Sequence, residues 1–295
     1  MISQLLTYCT ELLVLTLARG SLYALIAVGF ALVFGAGRVL NLFHGGFFLL
    51  GSYLAFFYSG MALPLQDAPR MAMVTLLAAA TVGGIGFVYF WAFLRRYVGR
   101  QIQLMVVGVV ANLVTAQGFS AWYGTQAAYV APIVPGTIQV GSAQVLRQQI
   151  LIVCLAIVLF PALGWLLRHT RMGRAIQAVA QDARGARLVG IRPEAVLGTT
   201  VALAAMLAGL AGALAAPVLV VSPSLWTFAL LKSFTIVILG GIGSLRGTLI
   251  ASYALGAVEV VGISLVGEAW AELIAVVIAV VALALRPRGV VNEQA

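Results

Sequence analysis

Residues 20–55 read GSLYALIAVGFALVFGAGRVLNLFHGGFFLLGSYLA. Positions 20–34 carry no charge, and with the apolar residues 12–18 before them they form a run long enough to cross the hydrocarbon of a bilayer, which takes about 20 residues of helix. The run ends in small residues and a cation, Gly35-Ala36-Gly37-Arg38, and a second apolar run starts at Phe47. Between them lie Asn41, His44, Gly45 and Gly46, the polar and glycine residues at which a helix in lipid is interrupted.

The rest of the chain has the same character. Of its 295 residues 63% are hydrophobic and 8% charged, and the mean hydropathy is +1.10. A water-facing surface needs about a quarter of its residues charged, and 17 basic with eight acidic side chains cannot cover a fold of this size. The composition therefore excludes a soluble globular protein. The net charge of +9 does not indicate nucleic acid, because the arginines fall between apolar runs and follow the positive-inside rule. Thirty-two glycines, many within those runs, suit close helix approach in lipid. Cys9 and Cys154 sit in apolar runs without metal-ligand spacing and read as small buried hydrophobes, not a disulfide. The N-terminal run lacks a basic n-region and a small-residue cleavage site, so it reads as a retained first span.

Apolar segments at 11–35, 45–60, 70–94, 101–123, 148–168, 194–220, 228–244, 247–266 and 269–286 predict an all-α, polytopic transmembrane helical bundle of eight or nine spans in a single domain, residues 1–295. Gly-rich stretches at 36–60 and 225–250 predict broken or re-entrant helices there. Arg95, Arg96 and Arg100, the arginines between 168 and 192, and Arg286 with Arg288 place three linkers on the cytoplasmic side. Nine crossings then put the N-terminus with Glu11 outside and the C-terminus inside. Arg19 remains within the first span and must face protein or snorkel. Residues 124–147, with Pro132 and Pro135, form an expected turn-rich external cap. Gly51-Ser52-Tyr53 and Ala251-Ser252-Tyr253 hint at a repeat, the pattern by which transporters place broken helices around a midplane site.

Three stretches could carry function. In Asn41–Gly46, Asn41 could cap the following helix while Gly45 and Gly46 allow close backbone approach; either His44 and the helix N-terminus face a polar pathway, or the segment is a capped turn. In the second, Lys232, the sole lysine, precedes Gly240, Gly241 and Gly243, and Gly243 with Gly247 makes a GxxxG pair. It marks either a pathway or helix packing with a snorkelling lysine. The third is the linker 169–193, where Ile176, Val179, Ala183 and Ala186 recur at helical spacing among polar residues. A short amphipathic helix there could lie on lipid or dock into a soluble partner, and Asp182 among basic neighbours favours a protein.

Catalytic chemistry finds no footing. Glu259 is the one acid well inside a span, too little for a proton relay. Leu231 precedes Lys232-Ser233 where a P-loop requires Gly. His44 and His169 lack a nucleophile elbow or metal spacing.

Together the runs 20–55, 173–191 and 232–256 resemble the inner-membrane permeases of branched-chain amino acid ABC importers, above all the H-type subunit of the Leu/Ile/Val system; urea and amide permeases are similar. The resemblance implies a bacterial inner-membrane permease subunit that is not itself an enzyme. It implies a second homologous permease subunit, two cytoplasmic ABC ATPase subunits that bind ATP and Mg, a periplasmic substrate-binding protein, surrounding membrane lipid, and no nucleic acid or resident cofactor. It implies coupling through Gly173, Arg174, Ile176, Val179, Asp182, Ala183, Arg187 and Gly190, and a translocation pathway flanked by Asn41, His44, Gly45, Gly46, Lys232, Gly240, Gly241 and Gly243. Family members often carry an acidic or polar residue where Gly46 and Phe47 stand and a Pro where Arg246 stands. A self-sufficient carrier or channel, or a membrane scaffold, is the alternative reading from the residues alone.

Overall fold

The computed structural model describes residues 2–37, 40–61, 67–141, 143–241 and 243–285. Arg38, Arg286, Arg288 and the tail 287–295 lie outside them. Each of the nine apolar segments becomes a helix: α1 (Ile2–Gly37), α2 (His44–Ser59), α3 (Asp67–Ala92), α4 (Gln101–Tyr123), α5 (Arg147–His169), then α8 (Pro193–Ala215), α9 (Leu225–Gly240), α10 (Leu245–Val266) and α11 (Glu268–Leu285). Two short helices, α6 (Arg171–Gln181) and α7 (Ala183–Leu188), fill the linker between α5 and α8. Among the described residues six of these helices are long and apolar enough to cross a membrane. The two stretches that read as interrupted become the short helices α2 and α9, 16 residues each, or about 24 Å.

The bundle is two interlocked halves. In the first half α1, α2, α3 and α4 follow in order, and in the second α8, α9, α10 and α11. The first helix of each half packs most heavily on the third helix of the other, α1 on α10 and α8 on α3. Glycines permit both contacts. Gly20 meets Tyr253 at the middle of α1, and Gly35 meets Gly243 near its C-terminal end, so α1 and α10 run antiparallel. On α3 and α8, Gly83 meets Met206 and Gly198 meets Phe90 in the same sense. The repeat hinted at by the two Ser-Tyr pairs is not this one: Ser52 lies on α2 and Ser252 on α10, which are not equivalent. The most deeply buried large side chains come from most of the long helices, among them Leu25 and Ile26 on α1, Phe47, Phe48 and Tyr53 on α2, Phe90 on α3, Ile152 on α5, Leu214 on α8 and Ile236 on α9. Such packing of small and large residues replaces the hydrophobic drive that lipid does not supply.

The end of the bundle bearing α6 and α7 also bears Arg95, Arg96, Arg100, Arg168, Arg192 and Arg246. The opposite end carries residues 124–147. Part of that segment, expected as turns alone, is a β-hairpin of β1 (Thr137–Val140) and β2 (Ala143–Leu146). It is tied to the bundle where Gln148 accepts from the Ile133 amide (3.1 Å) and donates to the Leu214 carbonyl (3.1 Å). The Ala128 amide also donates to the Val221 carbonyl at 2.9 Å. Cys9 and Cys154, expected to be buried, are free and exposed on the outer surface, where lipid satisfies an apolar thiol as well as a core does.

Candidate functional site

The break between α1 and α2 is a re-entry into the bundle. Asn41 accepts from the Phe43 amide at 3.2 Å, closing an Asx turn, while Phe43 occupies the N-cap of α2 with no side-chain cap. Asn41 thus shapes the approach to the helix and does not cap it. His44, 2% exposed, donates from Nε2 to the Ile26 carbonyl at 2.8 Å and packs edge-on to Phe30. Ile26 and Gly29 lie well before the end of α1, so α2 starts about 12 Å inside it. Gly45 abuts the Trp226 carbonyl of α9, and Gly46 fits against Phe43 and the side chain of Asn112. Asn112 in turn donates to the Leu42 carbonyl at 2.7 Å. All four residues of this group are buried.

Lys232, the apolar run's one lysine, points inward. It is 7% exposed and bonds Glu259 of α10, whose other oxygen accepts from Tyr23 of α1. Arg19 stands 3.8 Å from the same carboxylate and is one-third exposed. A lone ion in an apolar interior is expensive, and the grouping relieves that cost by pairing and hydrogen bonding. Tyr23 was not singled out in the sequence; its phenol four residues after an intramembrane arginine was the available signal. Gly240 packs on Gly247 so closely that a methyl on either would overlap the other's backbone. Gly241 and Gly243 adopt φ of +93° and +82°, open to glycine and strained for other residues. Ser244 then caps α10, accepting from Gly247 N at 3.0 Å.

A cavity of about 760 Å³ opens at the basic end between α1, α5 and α10. Its walls are apolar (Leu32, Phe160 and Leu249 among them), its rim carries Arg168 and Arg246, and its floor is α6 through Ile176, Gln177 and Ala180. Of the residues named as pathway candidates, Gly243 alone reaches this cavity; Asn41, His44, Gly45 and Gly46 lie behind α1, and Lys232 lines a separate small cavity of about 80 Å³ beside Arg19 and Glu259. Sequence reasoning overlooked the α5 wall. Pro161 and Gly164 inside an apolar run were its mark, since a Pro in a helix frees backbone groups that need other partners.

The linker expected as one amphipathic helix is two. Thr170 caps α6 by accepting from Gly173 N (3.0 Å), and Asp182 ends α6 and caps α7 by accepting from Arg184 N (2.9 Å). Gly173 sits directly on the Leu166 and Leu167 backbone of α5. Ile176 and Val179 are buried against the bundle, whereas Arg174, Asp182 and Ala183 are exposed. Gly190, at φ +84°, terminates α7, and Arg187 bridges to Glu194 of α8 at 2.6 Å. At the outer corner Leu188 and Val189 are 89% and 76% exposed, an apolar tip in a basic setting.

Residues 12–284 match the family described as branched-chain amino acid transport system / permease component. The chain is 27% identical over 287 residues to the high-affinity branched-chain amino acid transport system permease protein BraD of Pseudomonas aeruginosa, covering 94% of each. It is 28% identical over 288 residues to LivH of Salmonella typhimurium, a permease protein of the same description, covering 93% of this chain and 92% of the relative. Over 145 residues, 46% of the chain and 38% of the relative, it is 31% identical to the fructose import permease protein FrcC of Rhizobium meliloti. No solved structure matches it. A lipid-embedded bundle with an exposed elbow at its basic end, similar along almost its whole length to transport permeases, is a transport subunit and not an enzyme, and the chain belongs to the family of permease components of branched-chain amino acid transport systems.

Proposed function

We propose that this subunit forms one half of an ATP-driven import pathway for branched-chain or closely related amino acids, with the basic end and the C-terminus in the cytoplasm and the N-terminus outside. The α6–α7 elbow is the contact for a pair of ATPase subunits, the hairpin end receives a substrate-binding protein, and a second permease subunit completes the pathway. ATP and Mg belong to the ATPases. The observation that carries this reading is the shared use of α6: its outer continuation presents the bare Leu188–Val189 tip, while its inner face is the floor of the cavity between α1, α5 and α10. A partner that holds the tip differently in two states biases two shapes of the cavity, which is what coupling requires. Asn41–Gly46 and Gly240–Gly243 fit as the backbone hinges behind that wall.

The distribution of arginine supports the orientation. The relatives named for branched-chain amino acids support the substrate class, and the partial likeness to a fructose permease keeps other small solutes as the competing class. The experiment is purification of the tagged chain from its native membrane: an ATPase co-purifying in equal amount supports the assignment, and a chain that purifies alone and transports substrate without ATP rejects it.

A further inference from the structure

The link between α3 and α4 is built as a surface of its own. After Ala92 the chain makes a single 3-10 turn, Leu94–Tyr97, and then turns again at Gly99 (φ +89°) into α4. Leu94, fully buried, pins the turn to the bundle with Tyr97 packed beside it. Arg95, Arg96 and Arg100 are exposed, and the Arg95 guanidinium lies 4.8 Å above the Trp91 ring, a stacking that holds its position while leaving its N–H edge free to bond.

These cations are flanked by large exposed apolar side chains. Phe93 is 56% and Ile102 77% exposed, and above them α3 and α4 continue in exposed Val88, Phe87, Val106 and Val110. The link therefore lies at the edge of the lipid-facing wall, with apolar side chains at acyl depth and three guanidinium groups where headgroups begin. Guanidinium groups pair with phosphate oxygens through parallel hydrogen bonds, and basic clusters next to membrane helices draw anionic lipid. No acidic residue lies between 71 and 123 to neutralise them. We propose that residues 91–100 form a binding site for the headgroup of an anionic phospholipid, with Arg95, Arg96 and Arg100 on the phosphate and Phe93 and Ile102 against the acyl chains. The occupant is lipid and not a soluble partner because the cations are interleaved with large apolar side chains continuous with the membrane wall.

The test uses the full chain in detergent, mixed with phosphatidylglycerol or phosphatidylcholine of identical acyl chains, and counts retained lipid by native mass spectrometry. The wild-type chain is expected to retain phosphatidylglycerol in preference. Each arginine near an anionic surface contributes a factor of about five, so Arg95→Gln with Arg96→Gln and Arg100→Gln is expected to lower that preference at least tenfold. The control, Arg171→Gln with Arg174→Gln and Arg184→Gln, removes equal charge at the α6–α7 elbow and is expected to keep it. Replacing the three link arginines by Lys, a gentler change to folding, is expected to keep most of it. The proposal is overturned by a wild-type chain without preference, by equal losses in link and control variants, by displacement of the lipid by millimolar inorganic phosphate, or by link variants that lose an ATPase partner while holding phosphatidylglycerol as before.

Discussion

Lys232 and Glu259 join α9 to α10, and Tyr23 brings in α1 through the same carboxylate. Their loss should be asymmetric. Lys232→Met alone leaves a buried carboxylate short of its main partner and is expected to destabilise the chain by about 3–5 kcal/mol, whereas Lys232→Met with Glu259→Leu is expected to recover most of that. Thermal unfolding in detergent measures both, and equal costs for the single and double variants contradict the pairing. The sequence made the two charges conspicuous, because any ion in an apolar run is. It did not reveal that they meet, since 27 residues and a tight turn separate them. The glycines behaved likewise: Gly240 and Gly247 were visible as a pattern, but their partner in space was not, and the GxxxG spacing of Gly243 and Gly247 turned out to serve two contacts, one with Gly35 and one with Gly240. Gly247→Ala is expected to part α9 from α10 and lower the unfolding midpoint by several degrees; a neutral outcome contradicts the close approach.

At the scale of elements, the α6–α7 elbow was legible because Ile176, Val179, Ala183 and Ala186 recur at helical spacing through a polar stretch; Ile176, Val179 and Ala186 are buried, whereas Ala183, at the start of α7, is exposed. Its division was not: Asp182, read from the sequence as a partner-facing charge, caps α7 where α6 ends, a local side-chain-to-backbone bond that residue spacing does not report. Gly173→Leu, which cannot be accommodated against the α5 backbone, is expected to reduce ATP-driven uptake to background while membrane insertion persists. Asp182→Ala is expected to loosen α7 at a local cost of about 1 kcal/mol and to leave ATPase activity running without transport. Unchanged uptake in vesicles containing either variant, with the partner subunits present, contradicts a coupling role. The short helices α2 and α9 show the opposite balance: glycine-rich flanks announced an interruption, yet the depth at which α2 restarts depends on the His44 bond to Ile26, a contact across 18 residues that periodicity does not report.

For the whole molecule, bundle class and segment order follow from hydropathy alone, since a bilayer admits few backbone solutions. The interlock of the two halves does not, because it is decided by which small residues face each other. The cavity between α1, α5 and α10 arises from that interlock, and its α5 wall touches few other elements. With Cys9 and Cys154 replaced by Ser, paired cysteines at Gly164 and Leu249 are expected to be bridged by a short bismaleimide, halting uptake; bridging without effect on uptake removes this cavity from the pathway. The central claim, that this chain moves solute only when driven by an external nucleotide motor, is tested most directly in sealed vesicles. Labelled leucine uptake is measured with the chain alone and with its co-purified ATPase, second permease and binding protein, each with and without ATP. Accumulation only in the complete set with ATP is the predicted result, and ATP-independent uptake by the chain alone is the result that contradicts it.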